Sequence, residues 1–511
     1  MFADFRNPEV SAEIHCDICI VGAGAAGITL ALALADSGLD VHVLESGDLE
    51  YDDATQALYG GESAGMENAS PIACRVRYFG GTTSRWQGWC APLRDIDFSE
   101  RSWVAHSGWP ISRHDLDPYY DRAWPMCEVQ PTGEETRSAL PDFDPAKLGI
   151  GFWHYSPPTR FGTTYRDRIE RAEHVSVLLN CNAIEIETDA NATSVRRLKV
   201  AALNGKRGTV SAKAFVLACG GMENTRLLLL TDDVVPAGLG NRSGNLGRFF
   251  TQHIELIGAR VQATDSMRLN EEFDQHHSEA VRAHIVTSTH VQQKQQLLNT
   301  GFSFGSPQQY SPAYQALRSV WHDAASGKWP DDFGEKVHSV TSDLDSVVED
   351  IFVTRRRAPP YLDLTTYSEQ TPNPDSRIGL AEATDALGLR RIRVDWRLTA
   401  ADRRSIRQST QILAEELGRM KIGRVKLADW LVDDAAPWPQ PIWSGCHHMG
   451  TTRMSHDSES GVVNADCRLH DVDNLYIASS SVFPTGGYVP PTLTLIALTL
   501  RLADHLSQQY A

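Results

Sequence analysis

Residues 16–46 read CDICIVGAGAAGITLALALADSGLDVHVLES, and the punctuation of this stretch decides the fold. Between Asp17 and Asp36 lie 18 consecutive uncharged residues, close to the length of a membrane span. Gly22, Gly24 and Gly27 split that run into a β-branched part and an Ala/Leu part, which predicts strand, tight turn and buried helix instead. Gly38 closes the helix and DVHVLES supplies a second strand, so the stretch reads β-turn-α-β. The GxGxxG follows a strand, opens a helix and has an acidic residue, Glu45, 23 positions after Gly22, which is the pattern of a dinucleotide site. In that reading Gly22 allows the turn, Gly24 lets backbone amides approach a pyrophosphate, and Gly27 lets helix and strand pack closely. The helix N-terminus supplies positive potential. Glu45 would accept hydrogen bonds from both ribose hydroxyls and repel a 2′-phosphate.

The rest of the chain bounds this reading. With 511 residues there is room for several lobes and a large core, and 48 Lys plus Arg against 65 Asp plus Glu gives a net charge of −17. An acidic surface repels phosphate backbones and anionic lipid, so nucleic acid and membrane surfaces are poor partners. Nine scattered cysteines fit reduced thiols in a cytoplasmic protein, and Cys16-x-x-Cys19 falls within the first strand. The segment MFADFRNPEV has neither a basic nor an apolar region of the kind an export signal needs. Residues 51–160 loosen into turns and aromatics, with strands expected over 175–189 and 197–221. Residues 255–435 alternate polar and apolar positions around one helical segment, AADRRSIRQSTQILAEELGRM, which suits an antiparallel sheet with helices. The last 75 residues return to short apolar strands (GVVNAD, NLYIASS) and the helix PTLTLIALTLRLADHL.

Four separated segments share one pattern: VGAGAAG (21–27) with Glu45, FGGTTSRW (79–86), FVLACGGMENTRLLL (215–229), and GCHHMGTTRM…NLYIASSSVFPTGG…PPTLTLIALTLRLADHL (445–506). In these the chain resembles the glucose-methanol-choline flavin oxidoreductases, with motif spacing most similar to the sugar-oxidising branch of pyranose oxidases, gluconate dehydrogenase flavoproteins and glycoside 3-oxidases. The resemblance implies an α/β plus α+β architecture: a Rossmann-like FAD-binding domain of discontinuous segments (1–110, 165–254, 436–511) and an inserted antiparallel substrate domain (255–435), with 111–164 as a loop or substrate segment. It also implies FAD rather than NAD. Cofactor contacts would come from Gly22, Gly24, Ala25, Ala26, Gly27, Glu45, Gly80, Gly81, Thr82, Ala183, Gly220, Asn224, Ser480 and Thr492. Thr492 opens a helix whose dipole can stabilise a reduced, anionic flavin ring. Covalently flavinylated pyranose oxidases carry a histidine where this chain has Arg85, which cannot form that link, so noncovalent FAD is expected.

Alcohol oxidation in this family pairs hydride loss to flavin N5 with removal of the hydroxyl proton by a base. The resemblance assigns that base to His447, with His448 as a lesser candidate. Imidazole suits the task because its ordinary pKa is about 6.5. Cys446-His447-His448 would make a poor metal site if it lies on one strand, where neighbours point apart. The second catalytic position of the family, Asn or His before Pro-Thr, is Pro490 here, which has no donor. His447 alone, or with Tyr488 or His448, would then serve an alcohol on a sugar-like, glycosidic or natural-product polyol. Pro490 also leaves room for a flavin-dependent desaturase, lyase or isomerase, or a noncatalytic flavoprotein subunit. The electron acceptor, whether oxygen, quinone or a protein, is open. Trp86, Trp89, Trp103, Trp109, Trp321, Trp329, Trp438 and Trp443 are candidates to stack on a sugar ring or to fill core. His253 is expected to be structural.

Overall fold

The computed structural model describes residues 1–67, 70–131, 142–157, 159–265, 269, 281–305, 311, 313–314, 316–317, 320–321, 333–352, 361–440 and 442–511. Its first sheet has the order Phe2–Asp4, Val175–Leu179, Val41–Leu44, Glu13–Val21, Arg207–Leu217, Val195–Ala201, Asn182–Thr188, with Leu475–Ile477 also paired to Arg207–Leu217. The strands from Phe2–Asp4 through Arg207–Leu217, together with Leu475–Ile477, run parallel, and the last two form an antiparallel edge. Parallel pairing demands cover on both faces, which is why Glu13–Val21 buries Ile18, Cys19 and Ile20 completely. The helix Ala25–Leu34 starts straight after the glycine turn and packs against the C-terminal helix Thr492–Tyr510.

The second sheet is antiparallel, in the order Gly423–Leu427, Ile254–Ala263, Leu362–Ser368, Thr300–Gly305, Val281–Thr287, Leu148–Tyr155, Trp89–Cys90. Period-2 alternation gives it two unlike faces. One carries Ala283, Ile285, Phe302, Phe304, Leu362 and Leu364, packed on Ile412, Leu413 and Leu417 of the helix Ala400–Arg419. Each such buried Leu, Ile or Phe side chain is worth about 1.5–3 kcal/mol against exposure. That helix is started by Thr399, whose hydroxyl accepts from Asp402 N–H while the Asp402 carboxylate accepts from Thr399 N–H. The other face looks back at the first sheet. A third sheet of Arg377–Thr384, Arg390–Trp396 and Gly61–Gly65 lies alongside.

The α/β plus α+β expectation holds, and three local expectations change. Residues 51–160 contain a helix, Asp117–Met126, opened by Pro118 in its first turn, and the strand Leu148–Tyr155. Gly149 and Gly151 hide that strand's pattern, and Gly151 is glycine for a reason: a Cβ there would meet His284 Nε2 at 2.5 Å and Tyr488 Oη at 3.0 Å. Residues 175–189, expected as one strand, hold two. Val175–Leu179 enters the parallel ladder and Asn182–Thr188 pairs with Val195–Ala201. GVVNAD makes only isolated bridges, Val463 to Met454 and to Leu469. A doubly hydrogen-bonded, 1 % exposed ion pair, Arg101 to Glu369 at 2.8 and 2.5 Å, ties the loop before Trp103 to the end of a second-sheet strand.

Candidate active site

A cavity of about 710 Å³ runs from the glycine turn of the first sheet to the inward face of the second. At its first end Gly22 has φ +104°, and a Cβ there would sit 2.8 Å from the Ala218 carbonyl. Gly24 caps the Ala25–Leu34 helix without any side-chain bond, so the first-turn N–H groups open into the cavity. The Glu45 carboxylate is buried and accepts from Ala23 N–H at 2.9 Å and Gly47 N–H at 2.8 Å, and burial raises its pKa. It holds the turn in shape and retains acceptor capacity towards the cavity. At the far end the Thr492–Tyr510 helix also begins without a side-chain cap.

Of the predicted cofactor residues, Gly22, Gly24, Ala25, Ala26, Glu45, Gly81, Thr82, Ala183, Gly220, Ser480 and Thr492 all line this one cavity. Gly27, Gly80 and Asn224 stand behind it. A Cβ on Gly27 would overlap the Gly22 carbonyl, Gly80 packs on Gly162, and the Asn224 amide oxygen accepts from Cys219 N–H. Two helix N-termini without side-chain caps bordering one cavity, with a glycine cradle and a buried carboxylate beside one of them, fit a long cofactor with a pyrophosphate and a ring that takes negative charge.

At the ring end stand His447, His448, Tyr488 and Pro490. Residues 445–448 form a turn, with Gly445 at φ +62° and Cys446 at φ +57°, rather than the strand on which the argument against a metal site rested. His447 Nδ1 lies 2.8 Å from Nδ1 of His253, whose Nε2 is 3.4 Å from the Gly486 carbonyl. Burial lowers the pKa of His253 to about 4; burial, then the neighbouring His253 and His448, holds His447 well below 6.5. Both rings are therefore neutral near pH 7. His448 stacks on Phe250 at 6.0 Å and its carbonyl accepts from Ser480 Oγ at 2.7 Å. Tyr488 is buried, and its hydroxyl meets His284 Nε2 at 2.6 Å.

The sequence reading held His253 as structural only, and His284 escaped it altogether. So did Trp153, which tilts over His284 at 4.5 Å, and Glu255, Arg282 and Tyr367. The available signal was His253-x-Glu255 and Arg282-x-His284, polar pairs at strand period on one face of otherwise apolar strands. Among the eight candidate tryptophans, Trp86, Trp89 and Trp443 line the cavity. Trp103 donates to the Leu297 carbonyl, Trp109 to Thr485, Trp438 packs on Trp430, and Trp321 is exposed. Trp329 lies outside the described residues.

Two parts of the chain match known families. Residues 372–499 match the family described as GMC oxidoreductase in its C-terminal part, and residues 17–253 match FAD dependent oxidoreductase. The chain is 24% identical to a 2-methyl-1,2-propanediol dehydrogenase of Mycolicibacterium austroafricanum, over 97% of this chain and 96% of that one. It is 24% identical to a paromamine 6'-oxidase of Streptomyces fradiae, over 95% and 90%. Pyridoxine 4-oxidase from Mesorbium loti shares the fold, with a TM-score of 0.58 and 17% identity over 96% of this chain and 99% of that chain. Among the described residues, no helix is long and apolar enough to cross a membrane.

Proposed function

We propose, from the premise that this chain belongs to the GMC oxidoreductases and is an FAD-dependent enzyme acting on CH–OH groups, that it oxidises a sugar-like or related polyol with His447 as base. FAD, bound along the cavity, would supply the hydride acceptor at its ring nitrogen N5. In this reading the pyrophosphate meets the first-turn amides of Ala25 and Ala26, Glu45 takes the ribose, and Gly81, Thr82 and Thr492 border the ring. The cofactor is held noncovalently, since Arg85 occupies the loop position of a histidyl link. The cofactor side is drawn from 1–110, 165–254 and 436–511, and the substrate side from 111–164 and 255–435.

The observation that carries the reading is the His447–His253 contact at 2.8 Å. A carbonyl only accepts, so the Gly486 oxygen orients His253 with its proton on Nε2 and its Nδ1 lone pair towards His447. His447 must then carry its proton on Nδ1 and donate it to His253. That leaves the lone pair of His447 Nε2 free, where no partner lies among the described residues, to accept a hydroxyl proton from a substrate in the cavity. His253, a residue the sequence reading left structural, thus orients the base from its place just before the second-sheet strand Ile254–Ala263. The 2-methyl-1,2-propanediol and paromamine in the names of two relatives support a polyol. The test is an anaerobic screen of the yellow protein against sugars, glycosides and simple diols. Bleaching of the flavin absorbance by at least one is expected. Product formed with the flavin never reduced, and no acceptor consumed, would favour a lyase or isomerase and overturn the reading.

A further inference from the structure

The inward face of the second sheet holds a charged pair with no task in the chemistry above. Strand register puts Glu255 opposite Tyr367 and Arg282 opposite Trp153, and Glu255 lies two residues beyond His253, which directly precedes the strand Ile254–Ala263. Side chains at i and i+2 share a face, so Glu255 and Arg282 look into the same cavity as the His253–His447 contact. The Glu255 carboxylate is half-buried and, among the described residues, makes no hydrogen bond or ion pair. Burial lifts its pKa to about 7, with Arg282 pulling the other way. The Arg282 guanidinium lies 5.7 Å from the Trp89 ring centroid, while Trp443, 63% exposed, pairs its backbone with Glu255. A half-buried carboxylate without a partner incurs a desolvation cost that a ligand hydroxyl would offset.

We propose that Glu255 and Arg282 form a two-point clamp for a neutral vicinal diol of the substrate, Glu255 accepting from one hydroxyl and Arg282 donating to its neighbour, with Trp89 and Trp443 flanking the carbon skeleton. The inference rests on the polyol reading above and names the residues that select for it. A carboxylate and a guanidinium on one cavity favour a neutral donor–acceptor pair of hydroxyls over an ammonium group, which Arg282 would repel.

The test is an anaerobic tryptophan-fluorescence titration of the holoenzyme, which reads binding independently of turnover, with cis-1,2-cyclohexanediol, cyclohexanol and 2-aminocyclohexanol. The wild type is expected to bind the diol about tenfold more tightly than cyclohexanol, the effect of one good additional hydrogen-bonded contact. Glu255→Gln and Arg282→Met should each lose most of that preference while leaving cyclohexanol binding and FAD content unchanged. The diol preference of the wild type should also weaken as pH falls below about 7, and Glu255→Gln should remove that dependence. Equal binding of diol and cyclohexanol by the wild type, a preference that survives both substitutions, or tighter binding of the amino alcohol than the diol would each overturn the clamp. Diol-selective binding without any flavin reduction by alcohols would leave the clamp standing and sink the oxidation reading instead.

Discussion

Replacing His253 by Leu isolates the orienting role assigned to it. The substitution removes the acceptor of the His447 Nδ1 proton and leaves a buried N–H without a partner, a loss of about 1–3 kcal/mol. If that contact is fully expressed at the transition state, flavin reduction by a polyol should slow by roughly 5- to 150-fold at about 1.4 kcal/mol per factor of ten. It also removes one of the groups holding the His447 pKa down. The base must be unprotonated to work, so the acid limb of the rate profile should move up in pH, towards the ordinary imidazole value of about 6.5. His253→Asn, whose amide oxygen can accept a hydrogen bond, should recover part of the rate. The assay is anaerobic reduction of the bound flavin across pH 5–8, with FAD stoichiometry and melting temperature as controls for folding. A Leu variant that holds FAD, reduces within threefold of wild type and keeps the same acid limb would refute the orientation argument.

Glu45→Ala should weaken FAD binding by at least about tenfold in a reconstitution titration, because it removes a candidate ribose acceptor and unpins the Ala23 and Gly47 amides that shape the turn; unchanged affinity would count against the nucleotide end. Arg101→Met leaves the buried Glu369 carboxylate uncompensated and should lower unfolding free energy by about 3–5 kcal/mol in urea, with the substrate-side sheet affected first. Acid should destabilise the fold in a defined window. His253, His284 and His447 are neutral when folded, with pKa values lowered to about 4, to about 3 and well below 6.5 respectively, mainly by burial. The unfolded chain then binds more protons below pH 6.5, so stability is full above that pH and falls as pH drops towards 4, which a thermal scan series would show. Tyr488→Phe removes the hydroxyl from His284 Nε2 and should cost about 1 kcal/mol of stability.

The parts legible in sequence were those whose physics is local. The glycine turn at 22–27, the strands on either side of it and the apolar C-terminal helix are set by backbone freedom and continuous apolar runs, and each sits where the pattern put it. The strand Leu148–Tyr155 was not legible because glycines interrupt its pattern, and Gly151 makes room for His284 and for Tyr488, more than 300 residues away. The same holds for the site. His447 stands out through its own motif, whereas His253 matters only because the first and second sheets are brought face to face, a contact between residues 194 apart. Glu255 and Arg282 sit on strands that are ordinary when read singly, with two strands between them in the sheet, and come together only as lining of one cavity. Side chains recruited across an interface leave only a weak trace in one sequence: a polar residue at alternate positions of a strand that should have been apolar on both faces.

The central claim is that His447 takes the substrate's hydroxyl proton while FAD takes the hydride. Anaerobic mixing of wild-type and His447→Ala holoenzyme with a polyol that bleaches the wild type tests it most directly. The account predicts that His447→Ala remains yellow with full FAD content, still binds the polyol, and loses flavin reduction by at least about a hundredfold, the usual contribution of a positioned base. Reduction of the Ala variant at the wild-type rate would contradict it.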